Sequence, residues 1–196
     1  MDILNNLDLY LESFLNTLGI WGALMSCFLI TIESILPVLP LCVFVTLEFY
    51  YFGPIAGFFV SLIFTCIGCL LSFTLCRKFV KKWTDKKIEK FNDKDKILKL
   101  IKFIDNINPG SLAMLVAIPF TPASAVNVAA GLSNISVKKF MLSIIVGKIF
   151  MVYFWGYVGT TLIESLTHPM YLIKIVFMLL LAYVICRVLS KYLKLD

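Results

Sequence analysis

Residues Ile118–Gly131 read IPFTPASAVNVAAG. The stretch lies in a strongly apolar region, long enough to enter a bilayer. Yet it holds Pro119 and Pro122, then Thr121, Ser124 and Asn127, then Gly131. Two prolines three apart remove two backbone donors and interrupt a helical ladder. Inside hydrocarbon, broken backbone survives only where protein or a watery cavity satisfies it. A lipid-facing helix has no use for this mixture, so the stretch is expected to line something.

The rest of the chain fits a membrane setting. Its 196 residues are 60% hydrophobic, with a mean hydropathy of +0.93. That composition belongs to integral membrane proteins and excludes an ordinary soluble domain. No cleavable signal peptide is evident, because Asp2, Asp8 and Glu12 precede the first Lys or Arg. Residues 1–16 carry apolar side chains at helical spacing and read as an amphipathic helix on the interface. Six cysteines lie mostly in apolar runs and read as small hydrophobes. Cys66-Ile-Gly-Cys69 has redox spacing, but no second pair stands at a membrane face.

Apolar residues run from Leu15 to Cys76, interrupted by Glu33 and Glu48. The pattern predicts a first span over 17–32, a re-entrant hairpin over 33–52 built on Pro37 and Pro40, and a second span over 54–76. Gly53-Pro54 opens that second span, with proline at the first turn where its missing N–H costs little. Arg77–Asp105 then holds eleven of the eighteen basic residues and five acids. It reads as a cytoplasmic linker over 77–107, two short helices spreading lysines onto anionic inner-leaflet lipids. A nucleic-acid partner is not expected from a lysine run tethered to a membrane. A second hairpin over 111–134, a third span over 140–163 and a last span over 170–186 complete a single membrane domain. Its parts are 1–16, 17–76, 77–107, 108–163 and 164–196. The fold class is all-α: four transmembrane helices and two opposed re-entrant hairpins in an inverted repeat. With both termini cytoplasmic, all three basic clusters fall on one side.

The hairpins look like one motif used twice. Leu36-Pro37-Val-Leu-Pro40 and Ile118-Pro119-Phe-Thr-Pro122 lie 82 residues apart, and Phe58 matches Phe140 at the same offset. Each is followed by a long span with a mid-helix glycine, Gly68 and Gly147, not in register. Inverted repeats with discontinuous helices are an architecture of secondary transporters.

Glu33-x-x-x-Pro37-x-x-Pro40, a basic linker, then Pro119-x-x-Pro122-x-x-x-x-Asn127-x-x-x-Gly131-Leu-Ser, with Phe140 and Gly147, resembles the DedA superfamily, also called the VTT or SNARE-associated domain family. The resemblance covers about residues 15–165. It implies two opposed re-entrant hairpins and a role in moving lipids across bilayers, such as polyprenyl-phosphate recycling or phospholipid flipping or scrambling, with proton coupling in some members. Family members usually carry an arginine three residues before the first proline of the second hairpin. Val116 stands there in this chain.

Several residues are expected to line the pathway: Glu33, Pro37, Pro40, Pro119, Thr121, Pro122, Ser124, Asn127, Gly131 and Lys148. Glu33 either takes up a proton or caps a hairpin helix. Lys148 falls about 13 Å into its span, near the middle of a core of about 30 Å. It is expected to share a cavity with Glu33 or to stand in for the missing arginine. Glu48 either acts like Glu33 or lies near the outer interface, the reading its place favours. Asn127, Ser124 and Thr121 can satisfy carbonyls freed by the prolines. His168, in a loop beside Pro169, reads as solvated. No nucleophile–base set, phosphate loop or metal cluster is visible, so neither catalysis nor a cofactor or metal is expected. The function expected is translocation of a phospholipid or polyprenyl-phosphate headgroup in a bacterial plasma membrane, by a monomer or homodimer. An ion-coupled transporter of a small solute and a membrane-organising protein acting through its linker are the alternatives.

Overall fold

The computed structural model describes residues 19–36, 41–80, 101–119, 121, 123–167 and 170–192. The amphipathic segment 1–16, most of the basic linker, Pro37, Pro40, Pro122 and His168 lie outside the described residues. Everything described is helix, turn or irregular backbone, with no strand. The helices are α1 (Gly19–Glu33), α2 (Leu41–Leu75), α3 (Pro109–Ala117), α4 (Ala123–Leu132), α5 (Val137–Thr167) and α6 (Met170–Tyr192). A π-helical turn, Cys76–Val80, ends α2, and residues 101–106 are helical.

Proline and glycine set the breaks. α1 ends at Glu33 and α2 begins at Leu41, on either side of Pro37 and Pro40. α3 ends at Ala117 and α4 begins at Ala123, on either side of Pro119 and Pro122. The starts of the second arms, Leu41 and Ala123, are again 82 residues apart. α2 is itself two helices joined at Gly53, whose φ of 77° and ψ of 170° are not helical. An L-residue is strained at that φ, and glycine is not. Pro54 follows at the first position of the new helix. The turn folds α2 back on itself: Ser61 Oγ donates to Glu48 Oε2 at 2.6 Å, across the bend. The α3 start is capped by Asn108, whose side chain accepts from Ser111 N at 2.8 Å, with Pro109 at N1.

Two helical hairpins result, each followed by a long helix. Hairpin 1 is α1 with residues 41–52, and Cys27 on its first arm reaches Glu48 on its second. Hairpin 2 is α3 with α4. The expected boundary of hairpin 1 therefore moves. Its first arm is α1, where a span over 17–32 was expected, and its bend lies between Glu33 and Leu41, inside the expected 33–52. By length and composition three helices among the described residues can cross a membrane: Leu41–Lys78, Val137–Ser165 and Met170–Val188.

The apolar core forms two clusters. One joins hairpin 2 to the far half of α2 and the start of α5, through Leu112, Leu115, Val126, Phe73, Phe140 and Ile144. The other joins hairpin 1 to the second half of α5, through Ile30, Phe44, Val45, Phe49, Met151 and Val152. α5 runs through both, and Lys148 falls between Ile144 of one cluster and Met151 of the other. α6 stands apart: 11% of its apolar window is buried, against 44% for α5.

Candidate functional site

The long helices hold the hairpins by close backbone approach. A Cβ on Gly68 would lie 2.6 Å from Thr31 O and 2.7 Å from Ser34 Cβ. A Cβ on Gly147 would lie 2.7 Å from both Ala113 O and Val116 Cβ. Thr31 and Ala113 are equivalent in the repeat, as are Ser34 and Val116. Each long helix thus presents a glycine to the same two positions of its own hairpin. The glycines are 79 residues apart rather than 82, so the second long helix meets its hairpin about one turn early.

The hairpins meet in the layer between the two apolar clusters. Asn127, on the second arm of hairpin 2, is fully buried, and its Nδ2 donates to Ser34 O at 3.1 Å. Ser34 is the first residue past α1, where the helix leaves carbonyls unsatisfied. Ser34 Oγ and Thr31 Oγ1 in turn donate to Thr65 O and Phe64 O of α2. Glu33, one residue before Ser34, is 9% exposed. Lys148 is fully buried, within electrostatic reach of Glu33.

Three polar groups of this layer have unused capacity. Glu33 Oε2 and Asn127 Oδ1 are buried without a hydrogen-bond partner among the described residues. Lys148 Nζ donates to Met151 Sδ at 3.6 Å, a weak acceptor for an ammonium with three protons. Buried charge is costly unless hydrogen bonds complete it. A cation within electrostatic reach of one carboxylate, and an amide oxygen left over where the hairpins touch, can take an anionic group on the lysine and a proton or hydroxyl donor on the oxygens.

Of the other expected pathway residues, Ser124 and Gly131 are buried, and Pro119 and Thr121 are half-buried at the hairpin 2 bend. Thr121 N donates to Ile118 O at 3.1 Å, closing that bend. Gly131 serves packing: a Cβ there would lie 2.6 Å from Cys76 Cβ and 2.8 Å from Phe73 O. Glu48 is shielded by the protein itself. It is fully buried inside hairpin 1, held by Ser61 and Cys27, with Oε1 unpartnered.

Sequence reasoning missed Arg77, which it counted with the linker lysines. Arg77 lies 4.3 Å over the Phe73 ring and donates to Ala130 O, Gly131 O, Ser133 O and Ile135 O. It closes the C-terminal end of α4, where carbonyls have no helical partner. The only signal in the sequence was its place as the first basic residue after the span.

The sequence matches the VTT domain over residues 36–161, which spans both proline pairs and most of the long helix α5. The chain belongs to the VTT-domain, or DedA, family. It is 30% identical over 173 residues to the uncharacterised membrane protein YhjE of Bacillus subtilis (strain 168), covering 88% of this chain and 82% of that protein. It is 26% identical over 132 residues to the uncharacterised protein YqeD of the same organism, covering 67% of this chain and 62% of that protein. No solved structure matches. In this VTT protein the position where an arginine was expected holds Val116, packed on Gly147, and the next residue of α5 is Lys148. A cation therefore enters the same layer from the neighbouring helix.

Proposed function

We propose that this VTT protein moves a lipid headgroup across the bilayer between its two hairpins, which enter the membrane from opposite faces. The observation that carries the reading is the incomplete polar layer of Glu33, Asn127 and Lys148, where the hairpins touch. Lys148 takes the phosphate of a phospholipid or polyprenyl phosphate in place of the family arginine. Glu33 accepts a proton or a headgroup donor, and its counter-charge is Lys148. A point-charge ammonium holds phosphate with less geometric selectivity than an arginine fork, so this protein should accept several phosphate headgroups. Both termini and the basic linker face the cytoplasm, and the linker rests on anionic lipids.

The test is reconstitution of the full chain into liposomes with fluorescent phospholipids and a membrane-impermeant quencher. Loss of outer- and then inner-leaflet fluorescence, faster than in empty liposomes, supports the reading. No exchange, together with accumulation of a small solute under a proton gradient, would replace it with solute transport. Neither activity would leave a membrane-organising protein.

A further inference from the structure

α6 is the least buried long helix, and its face toward α5 carries a groove that the hairpin layer does not use. Two cavities lie along it, of about 320 and 370 Å³. They share Tyr153 and Met178, so they form one run. One end is lined by Lys174, Tyr157 and Phe177. The other is lined by Phe150, Ala182 and Cys186 and is closed by Ala117, Ile118 and Pro119 at the bend of hairpin 2. The floor is apolar throughout the second cavity.

We propose that this groove binds one anionic phospholipid, with its phosphate on Lys174 and one acyl chain lying between α5 and α6 as far as the hairpin 2 bend. Charge complementarity selects the occupant. Lys174 is exposed about one turn from the start of α6, and its Nζ lies 4.5 Å from the centroid of the Tyr171 ring. Tyr157 and Tyr153 flank the same mouth. Lysine with tyrosines at a helix end is the chemistry of the headgroup level. Length agrees as well. From Lys174 to Cys186 the helix rises about 18 Å, close to one leaflet of a core of about 30 Å. A second copy of this chain is the poorer occupant, since it would bring an identical Lys174 to the same mouth.

The site deepens the lipid-moving reading and rests on it only for the lipid's use: a lipid held here has its chain against the broken backbone that the headgroup would pass.

The experiment uses the full chain in detergent–lipid micelles, with Tyr153→Trp as reporter after Trp21→Phe, Trp83→Phe and Trp155→Phe. Brominated phosphatidylglycerol and brominated phosphatidylcholine are titrated as quenchers. Phosphatidylglycerol should quench at about fivefold lower mole fraction, the effect of one basic residue near a lipid surface. Lys174→Gln should remove the preference, Lys174→Arg should keep it, and Ala182→Phe should weaken quenching by both lipids. Equal quenching by the two lipids, a preference unchanged in Lys174→Gln, or protection from quenching that grows with protein concentration would overturn the site. Selective quenching in a protein that exchanges no lipid leaves the site standing and removes its proposed use. Lipid exchange with no selectivity does the reverse.

Discussion

At Gly68 and Gly147 the two halves of this VTT protein are built alike, and one residue later they differ. Each glycine receives a backbone oxygen and a side chain from the first arm of its own hairpin. The next residue is Cys69 in the first half and Lys148 in the second, both fully buried. The same contrast holds in the hairpins, where Glu33 is matched by Leu115, Glu48 by Ala130, and Asn127 by Val45. The acids lie in one half, and the buried cation and amide in the other. Repetition supplies a symmetric frame that brings two bends together. Divergence of a few side chains then makes the contact polar through Asn127 and sets Lys148 of α5 within electrostatic reach of Glu33, which two identical halves would not achieve.

The frame is most exposed to change at its glycines. Gly68→Leu and Gly147→Leu should each lower stability by about 3 kcal/mol, because the backbone oxygen in each contact cannot turn aside. Thermal unfolding in detergent measures this, and tolerance of one but not the other would break the equivalence of the halves.

The halves close their second arms differently, by Gly53 in hairpin 1 and by Arg77 in hairpin 2. Arg77→Met should cost about 2–4 kcal/mol, since buried carbonyls of α4 lose a charged donor. Lys78→Met, at the exposed neighbouring position, should change stability by less than about 0.5 kcal/mol. Equal effects at the two positions would remove Arg77 from the frame.

Glu48 tests whether the chemistry is confined to the contact layer. Glu48→Gln keeps an acceptor for Ser61 and should shift stability by about 1 kcal/mol or less. Lipid exchange should stay within about twofold of wild type, a barrier change of about 0.4 kcal/mol. Loss of exchange would place a second working carboxylate inside hairpin 1.

Much of this frame was legible in the sequence, because breaks in an apolar chain need residues that announce themselves. The two proline pairs and Gly53-Pro54 marked the bends, and the 82-residue offset holds for the helix starts at Leu41 and Ala123. Lys148 stood out because an ammonium deep in an apolar run has few reasons to be there. What stayed hidden depended on partners distant in the chain. The pairing of α1 with residues 41–52 left no mark in the sequence, since it rests on Cys27 meeting Glu48 and on Ile30 packing with Phe44 and Val45. The burial of Glu48 stayed hidden because Ser61 and Cys27, which hold it, are unremarkable alone. Arg77 was one of eleven basic residues until the end of α4 was placed beneath it. The glycines seemed out of register because the hairpin and the long helix repeat at different offsets.

In the proposed mechanism Glu33 and Lys148 act together where the hairpins meet. Exchange of labelled phospholipid in liposomes should be measured for Glu33→Gln, Lys148→Met and the double variant. Each single change should slow exchange by at least about tenfold, a barrier change of about 1.4 kcal/mol. The double variant should be no slower than the singles, because a unit already broken loses nothing more. It should also fold at least as well as wild type, since an apolar residue relieves the buried charge. Exchange at the wild-type rate in both single variants would contradict the account.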